Sequence, residues 1–525
     1  MAKLQGYNTA PAGRYNLSCI CLMFLLAMFC SAALAQSDDA VTLGQPFTDH
    51  MVLQRDRNVP IWGWAAPDTK VTVTFRQQTK AAVAGKDRTW RVALTPMAAG
   101  GPFEMTVSGI KEPLRDIMVG DVWICSGQSN MEMGINLLNG ANPKVAPVWT
   151  SPETLTRAYQ PGLRLFCAPT QFATEPAARY LQNERPDFLG CWKPCTIENA
   201  THTGIWYGFS AVAFYFGVNI QPQAGVTVGL VQVAHGGTAA EAWMSPQAVK
   251  SLQHKAFCPT QDEVLKVNPN ARVTMRGAEL NSTSACYNSL LHPLLPMAVR
   301  GVIWYQGENN AGDWNYAETL EALIADWRAG FGQQDMLFYI VQLCSLRGYL
   351  GNPTTWPAIR EAQQRVYQRV QHTGLVVTTD LYNWTAPGDI HPNKKEEVGR
   401  RLALWALRDC YGKVDIEPSG PIYREMKIEG DKARLFFDHT DGGMICTTNN
   451  RVEGFTVAGE DRQFHNGVAV VDGETIVVYA NGVREPRYVR YGWDIFIPFS
   501  FYNLVGLPAS PFRTDNWKPG VYFDK

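Results

Sequence analysis

From about residue 116 to residue 415 the chain alternates short, wholly apolar runs with longer stretches of helical spacing. The apolar runs are Ile117-Met-Val with Val122-Trp-Ile-Cys, Val226-Thr-Val-Gly-Leu-Val-Gln-Val, Gly301-Val-Ile-Trp-Tyr, Leu337-Phe-Tyr-Ile-Val and Leu375-Val-Val-Thr-Thr. Strands without a polar face are buried on both sides, which places them in a parallel sheet covered by helices. Tyr316, Leu320, Leu323, Ile324, Trp327 and Phe331 fall on one helical face. Ile359, Ala362, Val366 and Val370 fall on another, after Pro357 at a helix start, and Val398, Leu402 and Trp405 mark a last one. The alternation predicts an α/β domain over residues 116–415, built on a doubly wound parallel sheet.

A chain of 525 residues exceeds what one hydrophobic core holds, and both flanks read differently from the middle. Met51-Val-Leu-Gln, Val59-Pro-Ile-Trp-Gly-Trp, Lys70-Val-Thr-Val-Thr-Phe and Trp90-Arg-Val-Ala-Leu are short strand-like runs separated by turn residues, which predicts a β-sandwich over 36–115. Ala433-Arg-Leu-Phe-Phe, Gly467-Val-Ala-Val-Val and Thr475-Ile-Val-Val-Tyr predict a second one over 416–525. Residues 136–205 are rich in proline and poor in periodic runs, and read as long loops.

The first 35 residues have the layout of a signal peptide. Lys3 and Arg14 precede an apolar run from Cys19 to Phe29, and Ala33-Leu-Ala35 supplies small residues at a cleavage site. The run is too short for the ~20 apolar residues of a spanning helix, so the mature protein is expected in the periplasm or outside the cell. Nine cysteines follow the signal, an odd number, so they cannot all pair with one another. Cys191 and Cys195 have no second half-site at ligand spacing, which favours a disulfide or two thiols over zinc. With 48 acidic and 47 basic residues the charge is balanced, which gives no footprint for nucleic acid or an anionic membrane as partner.

One segment carries chemistry. Gly120-Asp-Val-Trp-Ile-Cys-Ser-Gly-Gln-Ser-Asn-Met131 runs from a strand into a sharp turn and an apparent helix start. That places the Ser129 hydroxyl at the carboxyl end of a strand, where open α/β sheets bind ligands. Backbone N–H groups at such a turn also suit an oxyanion.

This block resembles the nucleophile block of the SGNH (GDSL-like) hydrolases, and more closely that of the sialate O-acetylesterase family, through Gly127-Gln-Ser-Asn-Met131. Three more blocks match that family in order: Ala234-His-Gly-Gly-Thr-Ala-Ala-Glu-Ala-Trp243, Trp304-Tyr-Gln-Gly-Glu-Asn-Asn-Ala311, and Asp389-Ile-His-Pro392 followed by Lys394-Lys-Glu-Glu-Val-Gly-Arg-Arg-Leu-Ala-Leu-Trp405. Met51-Val-Leu-Gln and Gly506-Leu-Pro-Ala-Ser-Pro-Phe-Arg-Thr-Asp515 extend the likeness over nearly the whole mature chain.

The resemblance implies an SGNH-type catalytic domain and a serine esterase that cleaves O-acetyl esters of sugars through an acyl-enzyme, without metal or other cofactor. Acetylated sialic acids are the expected substrate, with acetylated xylan the alternative for an identical triad. Ser129 is the implied nucleophile, His391 the general base and Asp389 its orienting carboxylate. The wider superfamily places its Asp three residues before the His rather than two, which keeps Asp380 open. The oxyanion hole is assigned to Ser129, Gly236, Gly237 and Gln306, with Asn309 as second choice to Gln306 and Asn310 also in contention; Gln128, Asn130, Glu308, Asn309 and Glu241 are expected around the substrate. A non-catalytic carbohydrate-binding protein is the reading from a different class, and the intact Ser129, His391 and Asp389 count against it.

Overall fold

The apolar runs of the middle region lie side by side in a computed structural model that describes residues 40–136, 160–180, 185–269, 279–348, 354–383, 386, 388–446, 451–497 and 501–517. The expected signal segment falls outside the described residues. Seven strands form the central path: β1 (Leu114–Gly127), β2 (Gln160–Cys167), β3 (Trp192–Cys195), β4 (Val228–Ala234), β5 (Gly301–Tyr305), β6 (Leu337–Val341) and β7 (Thr373–Val376). Their order is β3-β2-β4-β1-β5-β6-β7, and every neighbouring pair is parallel except β2 with β3. The first strand therefore lies inside the sheet. The chain fills one side of it and then the other, so the strand order reverses at β1.

Five helices matter for the site: α1 (Ser129–Glu132), α2 (Ala211–Ala224), α3 (Tyr316–Phe331), α4 (Thr355–Arg369) and α5 (Lys395–Cys410). All six residues assigned to one face of α3 are buried. In α4, Ile359 and Val366 are fully buried, while Val370 caps the helix in an extended conformation. The helices pack in pairs, α2 against α5 and α3 against α4. At the first crossing Gly399 lies so close to α2 that a Cβ there would stand 2.5 Å from Tyr215 Cβ.

Residues 136–205 depart from the expectation of long loops, since they supply β2 and β3 to the central sheet. Leu163, Leu165 and Phe166 are fully buried. Their apolar run is interrupted by Arg164, whose guanidinium is bound by Asp116 at 3.1 Å and by the Pro161 carbonyl at 2.8 Å. A paired arginine inside a strand hides the strand from a reading of polarity alone.

The N-terminal region is joined to the middle more closely than a separate unit at 115/116 would be. That boundary falls inside β1, a continuous strand of 14 residues. Val52–Gln54 pairs in parallel with the first half of β1, and Lys70–Phe75, Gln78–Val83 and Gly100–Val107 extend the same sheet to 11 strands. Thr42–Leu43, Val59–Trp64 and Thr89–Leu94 form a second, three-stranded sheet. One buried apolar cluster runs through both regions, from Phe47 to Val398 and beyond. The C-terminal region has its own core, including Leu435, Phe455, Ile476, Val489 and Phe512, between antiparallel sheets of five and four strands.

The middle of β1 is held by charge. Asp121 is fully buried and accepts from Arg55 at 3.0 Å and Arg300 at 2.7 Å. Burial pushes its carboxyl up, but the two guanidinium groups outweigh that and hold it below the usual carboxylate range. Cys125, Cys167, Cys191, Cys258, Cys286, Cys344, Cys410 and Cys446 carry free thiols. No described helix is long and apolar enough to cross a membrane.

The α2–α5 crossing makes a measurable demand on the sequence. Gly399→Ala should destabilise the protein by about 1–3 kcal/mol, the usual cost of overpacking a close contact. A urea titration would read it as a lowered midpoint, and an unchanged midpoint would mean that the helices separate without cost.

Candidate active site

Three strands end at one level, and their last residues are stitched together. Gly127 pairs with Ala234 of β4 and Tyr305 of β5. Just beyond, Gln128 N–H donates to the Tyr305 carbonyl at 3.1 Å, and His235 N–H to the Gly127 carbonyl at 3.1 Å. Position 127 has to be glycine: its φ is +137°, and a Cβ there would lie 2.1 Å from the Tyr305 carbonyl oxygen. The chain then turns into α1, whose first residue is Ser129. This close approach brings the serine block, the glycine block at 234–243 and the block at 304–311 to one spot, although they are far apart in sequence.

His391 reaches Ser129 from the loop that precedes α5. Its Nε2 lies 2.9 Å from Ser129 Oγ, and its Nδ1 lies 2.9 Å from Asp389 Oδ1. The same Asp389 oxygen accepts the His391 backbone N–H at 2.9 Å. Burial raises the Asp389 carboxyl, but these hydrogen bonds prevail and keep it ionised below its usual range. A carboxylate at Nδ1 places the ring proton there and leaves Nε2 to accept from the serine hydroxyl. Asp380 is elsewhere. Arg401 grips both its oxygens, at 2.8 and 2.7 Å, and that pair also ties the end of β7 to α5 through Arg401 and the Val377 carbonyl.

These groups line a cavity of about 470 Å³ bounded by Gln128, Ser129, Glu132, Trp206, Gly236, Gly237, Glu308, Asn309, Ile390 and His391. Its size suits a small organic ligand or one sugar unit. Several expected site residues stand in it and several do not. Gln306 is fully buried outside it: its amide nitrogen faces the Thr238 carbonyl at 3.1 Å and Asn310 Oδ1 at 2.7 Å, and its oxygen accepts from Tyr316 at 2.7 Å. With both ends committed, it has no donor for a substrate oxyanion. Asn309 stands in the cavity instead, its backbone N–H held by Gln128 Oε1 at 3.1 Å. Asn310 is fully buried and bonds Ala240 N–H at 2.9 Å and Glu241 at 3.1 Å.

Glu241 is likewise fully buried, accepting from Phe257 N–H at 2.8 Å, and does not reach the cavity. Asn130 lies behind Ser129, where its amide bonds Glu308, Lys395 and the Ile390 carbonyl rather than a ligand. Gly236 and Gly237 do line the cavity, but the Gly236 N–H is already given to Glu132 Oε2 at 2.7 Å. Gly237, at φ +72°, provides the left-handed turn.

Three cavity residues, Trp206, Glu132 and Ile390, were not singled out by the sequence. Trp206 stands edge-on to the His391 ring, with centroids 5.6 Å apart. It comes from the irregular stretch before α2 and carries no pattern to betray it. Glu132 follows Ser129 by three residues, one helical turn, and that spacing was a usable signal. Burial raises its carboxyl above the usual range, with His235 and the Gly236 N–H acting the other way. Among the described residues, no group of three or more His, Cys, Asp or Glu is arranged to hold a metal ion.

Comparisons with known proteins point to carbohydrate esterases. Residues 119–408 match the model of a carbohydrate esterase family described as sialic acid-specific acetylesterase. A sialate O-acetylesterase of Pongo abelii is 33% identical over 503 residues, covering 88% of this chain and 90% of its own. The sialate O-acetylesterase of Homo sapiens is 31% identical, covering 77% of each. Among solved structures, a carbohydrate acetylesterase from Xanthomonas citri superposes with a TM-score of 0.76 at 33% identity, covering 91% of this chain and all of its own.

The two acids near the site should part company on mutation. Asp389→Asn should cut kcat by up to ~10⁴-fold, as loss of the orienting carboxylate does in serine triads. Asp380→Asn should weaken the Arg401 pair and lower the melting temperature while leaving kcat within a few-fold. Steady-state kinetics and a thermal melt on both variants decide it, and a dead Asp380→Asn with a normal Asp389→Asn would reverse the roles.

Proposed function

The chain belongs to the sialic acid-specific acetylesterase family of carbohydrate esterases, and on that premise we propose how it works and which groups do the work. It is a carboxylic ester hydrolase that removes O-acetyl groups from sugars such as sialic acids. The reading of the site rests on one observation: the unbroken chain from Ser129 Oγ through the His391 ring to Asp389, with 2.9 Å at each link.

Ser129 Oγ attacks the acetyl carbonyl while His391 Nε2 takes its proton. The tetrahedral intermediate collapses, His391 returns the proton to the departing sugar oxygen, and an acetyl-serine remains. Water then enters, gives its proton to His391 and attacks the acetyl group. Acetate leaves and Ser129 recovers its proton. Asp389 holds the imidazole tautomer throughout and offsets its positive charge.

The developing oxyanion needs donors fixed in place beforehand. The Ser129 N–H at the start of α1, the Gly237 N–H on the glycine turn and the Asn309 amide stand nearest that task. Gly236 would join them only if Glu132 released its N–H. Gln128, whose oxygen fixes the Asn309 backbone, positions that donor.

The wider architecture follows the same reading. The order of the parallel strands fits an SGNH-type wound sheet, the antiparallel sheets after it fit a β-sandwich over 416–525, and the N-terminal strands fit a sandwich region that shares β1 with the central sheet. The signal-like first 35 residues fit export to the periplasm or beyond. Acetylated xylan remains the second substrate reading, since the proposed machinery acts on the acetyl group and not on the sugar.

Ser129→Ala should abolish acetate release from an acetylated sugar without unfolding the protein; turnover above a few per cent of wild type would remove Ser129 from the mechanism. Asn309→Ala should lower kcat by about 10²–10³-fold, the usual worth of one oxyanion donor. If Asn309→Ala is near normal and Gln306→Ala is dead in a folded protein, the donor has been misassigned. A panel of acetylated sialic acids and acetylated xylan oligomers, read by acetate release, orders the substrates.

A further inference from the structure

Lys395 has no part in the hydrolysis described above, yet it is wholly buried next to it. It is the first residue of α5, four positions after His391. Its Nζ donates to Asn130 Oδ1 and lies 5.2 Å from the centre of the Tyr305 ring. A buried ammonium is costly unless something is arranged around it. Here the arrangement leads straight to the catalytic residues.

Asn130 immediately follows Ser129, and its amide makes three contacts. Oδ1 faces Lys395, while Nδ2 donates to Glu308 Oε1 and, at 3.0 Å, to the carbonyl of Ile390, the residue before His391. A lysine ammonium has only donors, whereas a carbonyl has only acceptors, and an ionised carboxylate likewise. Only one orientation of the Asn130 amide satisfies all three partners, and Lys395 selects it by demanding the oxygen. The amide nitrogen is thereby pointed at the histidine loop. The charges agree with the bonds. Glu308 is buried, its Oε2 lacks a hydrogen-bond partner among the described residues, and burial pushes its carboxyl up. The lysine lies within electrostatic reach of Glu308, Asp389 and the Cys344 thiol.

Resting on the serine–histidine reading, we propose that Lys395 is a positioning residue for the ester hydrolysis. Through the Asn130 amide it ties the carbonyl before His391 to the residue after Ser129, and so holds the Ser129–His391 hydrogen bond in register. It also balances the carboxylates of Glu308 and Asp389 on either side of that bond. It touches no substrate.

Burial lowers the Lys395 ammonium to about 8, while Cys344, Glu308 and Asp389 act to raise it. The sign is therefore set: the charged, working form exists below that pH and is lost as pH rises through it, which places an alkaline fall of kcat near pH 8.

Lys395→Met keeps the length and apolar stem of the side chain and removes the charge. It should lower kcat about 10–100-fold, the scale of a catalytic group displaced by a fraction of an ångström to an ångström. The loss should be equal on p-nitrophenyl acetate and on an acetylated sugar, with KM nearly unchanged, because the contact acts on the machinery and not on the sugar. The alkaline fall near pH 8 should disappear from the variant. Adding Glu308→Gln to Lys395→Met removes the unbalanced carboxylate and should restore part of the lost kcat.

A folded Lys395→Met with kcat within threefold of wild type overturns the proposal, as does a loss confined to the sugar ester or an alkaline fall that survives in the variant. If Lys395→Met does not fold, the wild-type pH profile and Asn130→Ala decide: a flat profile from pH 7 to 9, or a normal kcat in Asn130→Ala, overturns it. Failure of the underlying reading has a separate signature, an active Ser129→Ala, which no Lys395 result can produce.

Discussion

The site depends on the level at which three parallel strands stop. β1, β4 and β5 are in register at Gly127, Ala234 and Tyr305, and backbone hydrogen bonds continue one residue past the ends of β1 and β4. Parallel pairing spaces its hydrogen bonds evenly, so a slip of one residue would turn every side chain to the opposite face. It would also move Ser129 away from the glycine turn and from Asn309. The contact between Gly127 and the Tyr305 carbonyl is therefore a positional constraint on the proposed catalytic groups as well as a packing detail. Halfway along β1, Asp121 with its two arginines fixes the same strand against sliding.

His391 is placed by a different device. It does not sit at a strand end within the register but arrives on a loop, anchored where α5 begins. Two polar contacts hold that loop: Asp389 folds back on the His391 backbone and ring, and Asn130 takes the Ile390 carbonyl. One half of the site is thus rigid because a sheet is rigid. The other half is rigid only through buried hydrogen bonds, which makes it the half more sensitive to charge and pH.

This division explains what the sequence disclosed. Strands buried on both faces and helices with one apolar stripe announce themselves, so β1, β4 to β6, α3, α4 and α5 were legible from spacing alone. β2 was not, because Arg164 interrupts it and its partner Asp116 lies far away in the chain. α2 was not singled out either; its residues from Ala211 to Gly217 are all buried, so it carries no stripe. Ser129, His391 and Asp389 stood out through ordered motifs. The neighbouring amides did not sort themselves: Gln306, Asn309, Asn310 and Asn130 are the same kinds of group within a few residues of the same motifs, and which of them faces a cavity is decided by partners such as Tyr316, Glu241 and Lys395 from other elements. Asp380 and Asp389 differ in the same way, through a partner from another element: Arg401, well inside α5, holds both Asp380 oxygens.

The continuity of β1 with the N-terminal strands has a bearing on biosynthesis. During translation, Val52–Gln54 and Gly100–Val107 leave the ribosome before or together with the strand they flank, and both pair with its first half. Its partners in the other half come much later: Val228 of β4 pairs with Asp121 about 100 residues downstream, and Gly301 of β5 pairs with Trp123 later still. Closing such long loops is the slow part of assembling a parallel sheet. The N-terminal strands therefore reach β1 through shorter loops, whereas the sheet on its other half is closed only by longer ones.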